Sequence, residues 1–524
     1  MKKLTAYIFT IVLLSSQLFA DNDIHTGELS GDYLGESHVD SVWENTYVDE
    51  WGAYFSSEGS FTNYTRANFK NANLPQSIFR RATLTDANFT NANLTSVIFD
   101  EAILTNANFT NAIVNGAVFT DGFTEAQLKS TKSYKEKNLS GVNLWYSDLS
   151  GWDFSGQNLT SASFSGSTLT NTNFTNATVN SASFTDGFTE TQLKSTKSYK
   201  EKNLTGIFLV SNDLSGWDFS GQNLTSASFS GSTLTNTNFT NATVKGVGFR
   251  NVKGFVQEQL KSTASYQEKN LAGIDFYECD VSGWDFTGQN LQNSQLSYTV
   301  LNGSDLTGAD LRGALLIQTK GLPIYKNTIM FDGTIKNFSM KSGANSLIIR
   351  VYVPATTGGA MINAKIVDDA TISGGAVLTL EEGAVLEISA GKTLTVSDNG
   401  EIVFDVDASA DDTNIILNSG SKLVFGDNSK LTINLTGEVS ETDPLHFTVI
   451  KAADDSYVLG LDTLPKDNII LNVNGTAYDS SKWGINFDPT TGNLDINVNV
   501  PEPATCAVIF GVLALGLVVY RRRK

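Results

Sequence analysis

Cysteine is almost missing from this chain: it occurs twice in 524 residues, as Cys279 and Cys506. So few thiols build no disulfide framework, so stability has to come from packing and backbone hydrogen bonds. Histidine is nearly as scarce. His25 and His38 fall in an acidic leader and His446 in a β-type stretch, none with a cysteine partner, which leaves no ligand set for a structural zinc. Positive charge is also short, with 36 Lys and Arg against 55 Asp and Glu for a net charge of −19. Binding to a phosphate backbone needs a basic face, so nucleic acid is excluded as a partner. The acids are unevenly spread: residues 21–60 hold ten with no Lys or Arg, residues 61–320 are nearly balanced, and residues 321–500 hold 23 against 11 bases. Neither a phosphate-cradling glycine loop nor a nucleophile elbow is present. No cofactor, metal ligand or catalytic residue is therefore assigned, and the chain does not read as an enzyme.

What is present is repetition. From Tyr64 a large apolar residue recurs every five positions, through Phe69, Leu74, Phe79, Leu84, Phe89, Leu94, Phe99, Leu104, Phe109 and Val114 to Phe119. Two residues before each stands a small one, mostly alanine, as at Ala67, Ala72, Ser77 and Ala82, and the positions between are mostly Asn, Thr, Asp and Ser. A period of five fits neither a helix at 3.6 nor a plain strand at 2. It calls for a chain that turns a corner every five residues, with large and small side chains pointing inward and coils stacked about 4.8 Å apart.

The segments ANFTNANLT and SDLTGADLRGA resemble the pentapeptide-repeat family, over roughly residues 61 to 316. That resemblance implies a right-handed quadrilateral β-helix with four pentads per coil. Some members mimic DNA and protect topoisomerase, but they are strongly acidic and cytoplasmic, whereas this repeat region is nearly neutral and the chain reads as exported.

A longer repeat overlies the first. The block SGWDFSGQNLTSASFSGSTLTNTNFTNATV fills residues 150–179 and recurs unchanged at 215–244, and a diverged copy begins at Ser282. Ahead of each stands an insert outside the pentad pattern, starting at Phe123, Phe188 and Phe255. Thr124 with Gln127, and Thr189 with Gln192, have capping-box spacing, so each insert is expected to hold a short helix on the solenoid wall. Twenty residues separate Phe119 from Leu139 and Phe184 from Leu204, four pentads, so the register is expected to resume; Phe249 to Leu271 is twenty-two. The recurring pairs Trp152–Asp153, Trp217–Asp218 and Trp284–Asp285 offer a carboxylate beside an aromatic ring, the parts of a carbohydrate site. Duplication of one structural block, with each Trp in the small inward position, is the simpler explanation. The acidic pairs Asp368–Asp369, Asp411–Asp412 and Asp454–Asp455 lack the spacing of a calcium loop and read as solvated turns.

After about Leu316 the pentads give way to β-branched alternation with Gly, Asn and Asp turns, which implies an all-β unit. Apparent rungs of ten to twelve residues resemble autotransporter passenger segments, and a β-sandwich is the other candidate. Residues 321–360 and 455–497 are expected to cap the ends.

The two ends carry export signals. Lys2 and Lys3, an apolar run from Ala6 to Leu14 and a small-residue exit closing at Ala20 have the layout of a secretory signal peptide. Residues 504–520 are apolar and uncharged, long enough for a short membrane helix, and Arg521, Arg522, Arg523 and Lys524 follow as a basic stop-transfer tail. Pro501, Glu502 and Pro503 stand directly before that run; prolines flanking one acid keep the segment extended. This arrangement resembles the PEP-CTERM sorting signal, which implies processing by an exosortase-type enzyme.

The chain is thus expected to be all-β: a signal peptide (1–20), an acidic leader (21–60), a pentapeptide-repeat β-solenoid with short helical inserts (61–320), a passenger-like all-β domain, helical or sandwich (321–499), and a sorting signal with a transmembrane helix (500–524). The function that follows is an exported structural or adhesive protein of the cell surface or extracellular matrix, held by its membrane helix at least until processed, with extracellular glycans as candidate partners. The alternative is a carbohydrate-active enzyme or a glycan-binding module on a β-helix scaffold.

Overall fold

The computed structural model describes residues 28–29, 47–48, 62–120, 122–185, 187–342, 346–407, 415–436, 445–453, 456–461, 464–478, 483–487 and 494–498. The chain divides into two compact units, Met1–Phe208 and Leu209–Lys524.

In the first unit, two short parallel strands, β1 (Glu28–Leu29) and β2 (Tyr47–Val48), precede a solenoid whose coils pair residue on residue at intervals of twenty, as in Asn68 with Asn88 and Asn88 with Asn108. Among its described residues only β3 (Ile98–Phe99) and β4 (Val118–Phe119) extend beyond single bridges. Each pentad closes a β-turn: the Ala67 N–H donates to the Tyr64 carbonyl at 3.0 Å, and the residue between, Arg66, has φ of 59°. A positive φ at the third turn position defines a type II turn and costs a side-chain-bearing residue roughly 1–2 kcal/mol. Asn71, Asn91, Asn106 and Gly116 occupy the same position, so Asn and Gly recur there for a conformational reason. The walls are closed by coil-to-coil bonds such as Tyr64 N–H to Thr83 O at 2.7 Å and Thr83 N–H to Thr62 O at 2.9 Å.

The inward residues sort into columns. Phe69, Phe89 and Phe109 stack at 4.9 and 5.2 Å, while Phe79, Phe99 and Phe119 stack at 5.4 and 5.3 Å on an alternate side. The two columns meet edge to face at 5.5–5.9 Å, and the remaining sides carry buried Leu or Val, so apolar side chains fill the interior. Outside, asparagines form ladders, Asn88 to Asn68 at 3.0 Å and Asn93 to Asn73 at 2.6 Å.

Each insert contains two helical turns where one was expected: α1 (Glu125–Ser130) and α2 (Lys132–Lys135) in the first, α3 (Glu190–Ser195) and α4 (Lys197–Lys200) in the second. The capping boxes form, with Gln127 N–H to Thr124 Oγ1 at 3.2 Å and Thr124 N–H to Gln127 Oε1 at 2.9 Å. The Gln127 amide then donates to Leu104 O and Ala107 O at 2.8 and 3.0 Å, fastening the helix to the wall. The register resumes after the insert, as the spacing of twenty implies, but one pentad further on. Leu139 does not sit on Phe119: Val118 pairs with Asn143 and Ser183 with Phe208, so the insert lengthens its coil by a whole pentad. The five-residue phase survives because the insertion is itself one pentad long. Phe123 leaves the wall and stacks on Phe119 at 3.8 Å, as Phe188 does on Phe184 at 3.9 Å, filling the core where the chain turns in.

In the second unit, coils of twenty resume, with Asp218 on Asn238 and Ser228 on Gly248. The third insert carries α5 (Gln257–Lys261) and α6 (Ala264–Gln267), and its coil, closed where Gly248 meets Asp275, is longer still than the other two. Beyond Phe286 leucines take over the interior, at Leu291, Leu296, Leu301, Leu306 and Leu311. The last coil runs past residue 320, since Asp310 pairs with Ile329 and Gly313 N–H reaches Phe331 O at 3.0 Å. A hairpin, β5 (Thr328–Ile329) with β6 (Ile335–Lys336), then leads into a second architecture.

That architecture is a three-sided β-helix, which resolves the choice between helix and sandwich. One sheet carries β7 (Ser346–Ile349), β10 (Val377–Leu380), β13 (Glu401–Asp407), β16 (Lys430–Thr436) and β19 (Ile469–Val473). The second carries β8 (Ala364–Ile366), β11 (Leu386–Ile388), β14 (Ile415–Leu417) and β17 (Leu445–Ala452), and the third β9 (Ala370–Ile372), β12 (Thr393–Val396), β15 (Lys422–Phe425) and β18 (Tyr457–Leu459). These strands pair in parallel. One full coil carries the chain from Val377 to its partner Glu401, and the next, a longer one, from Glu401 to Lys430. The expected rung of ten to twelve is nearer the spacing of neighbouring strands within one coil. Ile349, Leu380, Phe404, Ile433 and Leu471 form one buried column. At the far end β20 (Thr476–Ala477), β21 (Trp483–Phe487) and β22 (Leu494–Val498) pair antiparallel and cover the edges of two of the sheets, but within the span 455–497 expected to cap, β18 and β19 continue the parallel coils, and residues 321–360, expected to cap the other end, instead finish the last pentad coil and begin the three-sided helix.

The solenoid end of this unit is joined to the three-sided helix by a buried ion pair that the sequence did not announce. Arg312 and Asp310, each about 1% exposed or less, bond at 2.6 Å; Arg312 also donates to Arg350 O and Ile362 O, and Gln292 to Asp310 Oδ2 and Val351 O. Both charged groups are thereby matched by each other and by further hydrogen bonds, which is what makes a buried pair tolerable.

Candidate ligand-binding cleft beside the first insert

The Trp–Asp pairs are structural. Asp153 N–H donates to Glu125 Oε1 of α1 at 2.7 Å, and the Tyr134 hydroxyl of α2 donates to Asp153 O at 2.7 Å, so the pair anchors the insert. Tyr266 holds Asp285 O in the same way in the third copy. Trp152, Trp217 and Trp284 stand at the turn position that alanine fills elsewhere, but the indole is too large to go in and remains half-buried. The carboxylates turn back on their own chain. Asp153 Oδ1 accepts from Ser155 N–H at 2.9 Å and from Asn173 at 3.0 Å; burial pushes its pKa up, but these bonds and Lys129 outweigh it, and the net shift is downward. Asp148, Asp213 and Asp280 bond Ser150, Ser215 and Ser282 through both hydroxyl and N–H, which holds them below the ordinary 3.8.

A cleft opens in the first unit where the chain departs for the insert. After Thr120 the wall should continue over Ile103 and Leu104, but Phe123 turns into the core instead. Among the described residues Ile103 bridges only to Thr83 and is 50% exposed. The resulting space, about 740 Å³, is bounded by Asp100, Glu101, Ile103 and Thr105 on one side and by Trp145 and Tyr146 on the other. Tyr146 has φ of 51°, the left-handed region, which a bulky residue occupies at a cost, and the residue is 71% exposed. It lies so close over Gly166 that a Cβ there would come within 2.5 Å of Cδ1. Trp145 is half-buried beside it, ring centroids 5.8 Å apart. Glu101 is gripped by Arg81, Nε to Oε2 at 2.7 Å and Nη2 to Oε1 at 3.3 Å, which lowers its pKa, and Asp100 pairs with Arg80 at 3.0 Å.

In the third copy the same position is filled. Its longer insert lets the chain finish a wall pentad, Lys253 bridging Thr233, before turning in at Phe255. Above it Tyr277 packs on Tyr298 at 5.3 Å and under Arg250 at 4.7 Å. The aromatic pair at 145–146 was not singled out from the sequence. Its signal was divergence: the identical block from Ser150 is preceded by Leu144-Trp145-Tyr146 in one copy and Leu209-Val210-Ser211 in the other.

Other expected positions are placed as follows. Cys279 is buried, its thiol against Phe249 O at 3.0 Å and its pKa raised by burial. Among the described residues no three His, Cys, Asp or Glu gather to hold a metal, and no helix is long and apolar enough to cross a membrane. Asp369 accepts from Thr393 N–H at 2.8 Å. Ala20, His25, His38, Asp411–Asp412, Asp454–Asp455, Pro501, Glu502, Pro503, the helix expected at 504–520, and Arg521, Arg522, Arg523 and Lys524 lie outside the described residues.

The family comparison agrees with the class that the coils define. Residues 65–100, 84–121, 138–176, 203–251, 270–308 and 285–320 match the family described as pentapeptide repeats (8 copies). The chain carries pentapeptide repeats. Among solved structures it is similar to HetL, a pentapeptide repeat protein involved in heterocyst differentiation regulation from the cyanobacterium Nostoc sp. strain PCC 7120, at 18% identity over 60% of this chain and 92% of that one, with a TM-score of 0.13. It is similar also to two trypsin-treated forms of QnrB1, a plasmid-mediated fluoroquinolone resistance protein, at 15% and 14% identity, covering 56% and 47% of this chain and 91% and 93% of theirs, each with a TM-score of 0.12. No curated protein matches the chain.

Proposed function

We propose that this chain is an exported, non-catalytic structural or adhesive protein of the cell surface or extracellular matrix. In this reading the pentapeptide solenoid and the three-sided β-helix serve as stiff spacers and display surfaces. Residues 1–20 direct export, and Pro501, Glu502 and Pro503, with the apolar run and basic tail behind them, form a PEP-CTERM signal cut by an exosortase-type enzyme. The observation that carries the non-catalytic half is the employment of the acids. Asp148, Asp153, Asp213, Asp218, Asp280 and Asp285 each accept from the N–H two residues on, so the recurring carboxylates build turns instead of converging on a substrate. The half concerning sorting rests on the sequence at the two ends.

Mass spectrometry of the mature C-terminus in fractionated native cells tests the sorting. A chain ending between Val500 and Ala504 in the surface or matrix fraction supports it. An intact Lys524 in the inner membrane reduces the signal to a plain anchor.

A further inference from the structure

We infer that the cleft between Ile103 and Tyr146 is a binding site for a neutral saccharide. The inference deepens the adhesive part of the proposed function and rests on it, but it does not depend on the sorting signal. Three features of the cleft lead there. The first is an aromatic platform presented at a cost: Tyr146 is an exposed residue in a left-handed backbone conformation, where asparagine, serine or glycine stands in most pentads. The ring is braced by Gly166 on one side and lies beside the half-buried Trp145. A braced, exposed ring offers a flat apolar face at little entropic cost on binding.

The second feature is the opposite wall. Ile103 adds apolar surface at the wall position where Thr83 stands in the preceding coil. Around it the Arg81–Glu101 and Arg80–Asp100 pairs set donors and acceptors side by side on a rigid wall, with the Thr105 hydroxyl nearby. Sugar rings match this lining, since they present C–H faces for stacking and a rim of hydroxyls that both donate and accept. The third is charge: among the described residues lining the cleft there is no Lys or Arg, and Arg80 and Arg81, which pair with its Asp100 and Glu101, are matched to those carboxylates, so the lining does not favour an anionic sugar or a phosphate.

The test titrates cellohexaose, chitohexaose, maltohexaose and mannohexaose, with hexagalacturonate as the anionic control, into the purified full chain by calorimetry. Tyr146→Gly is the decisive variant. Glycine suits φ of 51° better than tyrosine, so this change removes the ring without endangering the coil. Tyr146→Phe keeps the stacking face, and Ile103→Asn replaces the apolar wall with a polar side chain of a kind that other pentads carry at the same position, as at Asn88 and Asn108. The expected result is that at least one neutral hexasaccharide binds, that Tyr146→Gly and Ile103→Asn each weaken it about tenfold or more, and that Tyr146→Phe and the thermal midpoint change little. Binding of none of the neutral hexasaccharides, tighter binding of hexagalacturonate than of all of them, or an affinity indifferent to both Tyr146→Gly and Ile103→Asn would each overturn the inference. An intact C-terminus in the membrane fraction sinks the sorting reading alone and leaves this result standing.

Discussion

The second unit stacks parallel coils in two ways, and the contrast shows how a backbone turns a corner. In the pentapeptide part every corner is a five-residue type II turn, so the residue at positive φ, the small inward residue and the large inward residue recur in lockstep. In the three-sided helix the strands alternate inward and outward, as β13 does along its whole length, and the corners are loops of variable length. The first design spends conformational energy at each corner and gains an invariant cross-section; the second leaves its corners free to vary and relies on long hydrogen-bonded strands.

The largest break in the solenoid comes from its aromatic column. Phe109→Ala is expected to cost about 3–5 kcal/mol, because the ring stacks on Phe89 and meets Phe99, Phe119 and Phe123 edge to face, leaving a cavity that no neighbour can close. Phe109→Leu should cost less than about 1.5 kcal/mol, since the coils beyond Phe286 close on leucine alone. Hydrogen exchange across residues 84–128, followed by mass spectrometry, separates the two. Equal loss of protection in both variants would mean that the column is not the source of rigidity.

Next in size is the joint between the two architectures. Asp310→Asn leaves the Arg312 charge buried with neutral oxygens alone as acceptors, the amide oxygen and the carbonyls of Arg350 and Ile362, and should cost about 3 kcal/mol, the lower end of the range for breaking a buried pair. Replacing both partners, Asp310→Leu with Arg312→Met, should recover much of that loss. Denaturant unfolding monitored by Trp fluorescence checks it, and a double variant as unstable as the single one would assign the joint to packing instead of charge.

How much of this was legible follows from the same contrast. The pentads could be read because their corner chemistry is periodic: Asn and Gly at positive φ, Ala and Phe inward. Thr124 and Gln127 announced a capped helix because the box is local. The three-sided helix was legible as strands with helical stacking and a sandwich both open, because its coil length drifts from Val377–Glu401 to Glu401–Lys430 and no sequence period survives. The slip at each insert was hidden because a coil lengthened by one whole pentad keeps the same phase as an unlengthened one. The cleft was invisible for a related reason, being a missing piece of wall that Ile103, Trp145 and Tyr146 share only after that slip.

The corner cost itself gives a smaller effect. Gly151 has φ of 74° and open space where a Cβ would point, so Gly151→Ala isolates the backbone term and should destabilise by about 1 kcal/mol. Ser161 has φ of 59°, and Ser161→Gly should be neutral or stabilising by a few tenths of a kcal/mol, since relief of the corner is partly offset by a more flexible unfolded chain. No difference between the two in thermal unfolding would show that the corners are not held in the left-handed region.

The smallest effect, and the one that separates the two architectures most directly, is their response to acid. Asp148, Asp213 and Asp280 are held below 3.8 by the serine hydroxyls they accept from, so the unfolded chain binds protons that the folded solenoid refuses. Their contribution is fully present above the ordinary carboxylate value and is lost as pH falls through the lower folded values. Glu381, on the three-sided helix, is shifted the other way: burial raises it above its ordinary 4.5, against the pull of Arg350, so its ionisation on raising the pH costs the folded state. Acidification should therefore loosen the solenoid turns at a pH where protonation of Glu381 relieves the β-helix. Carboxyl titration by NMR from about pH 2 to about pH 7 reads both directions in one experiment. If Asp148 and Glu381 titrated on the same side of their ordinary values, the turn carboxylates would not be serving the solenoid as acceptors.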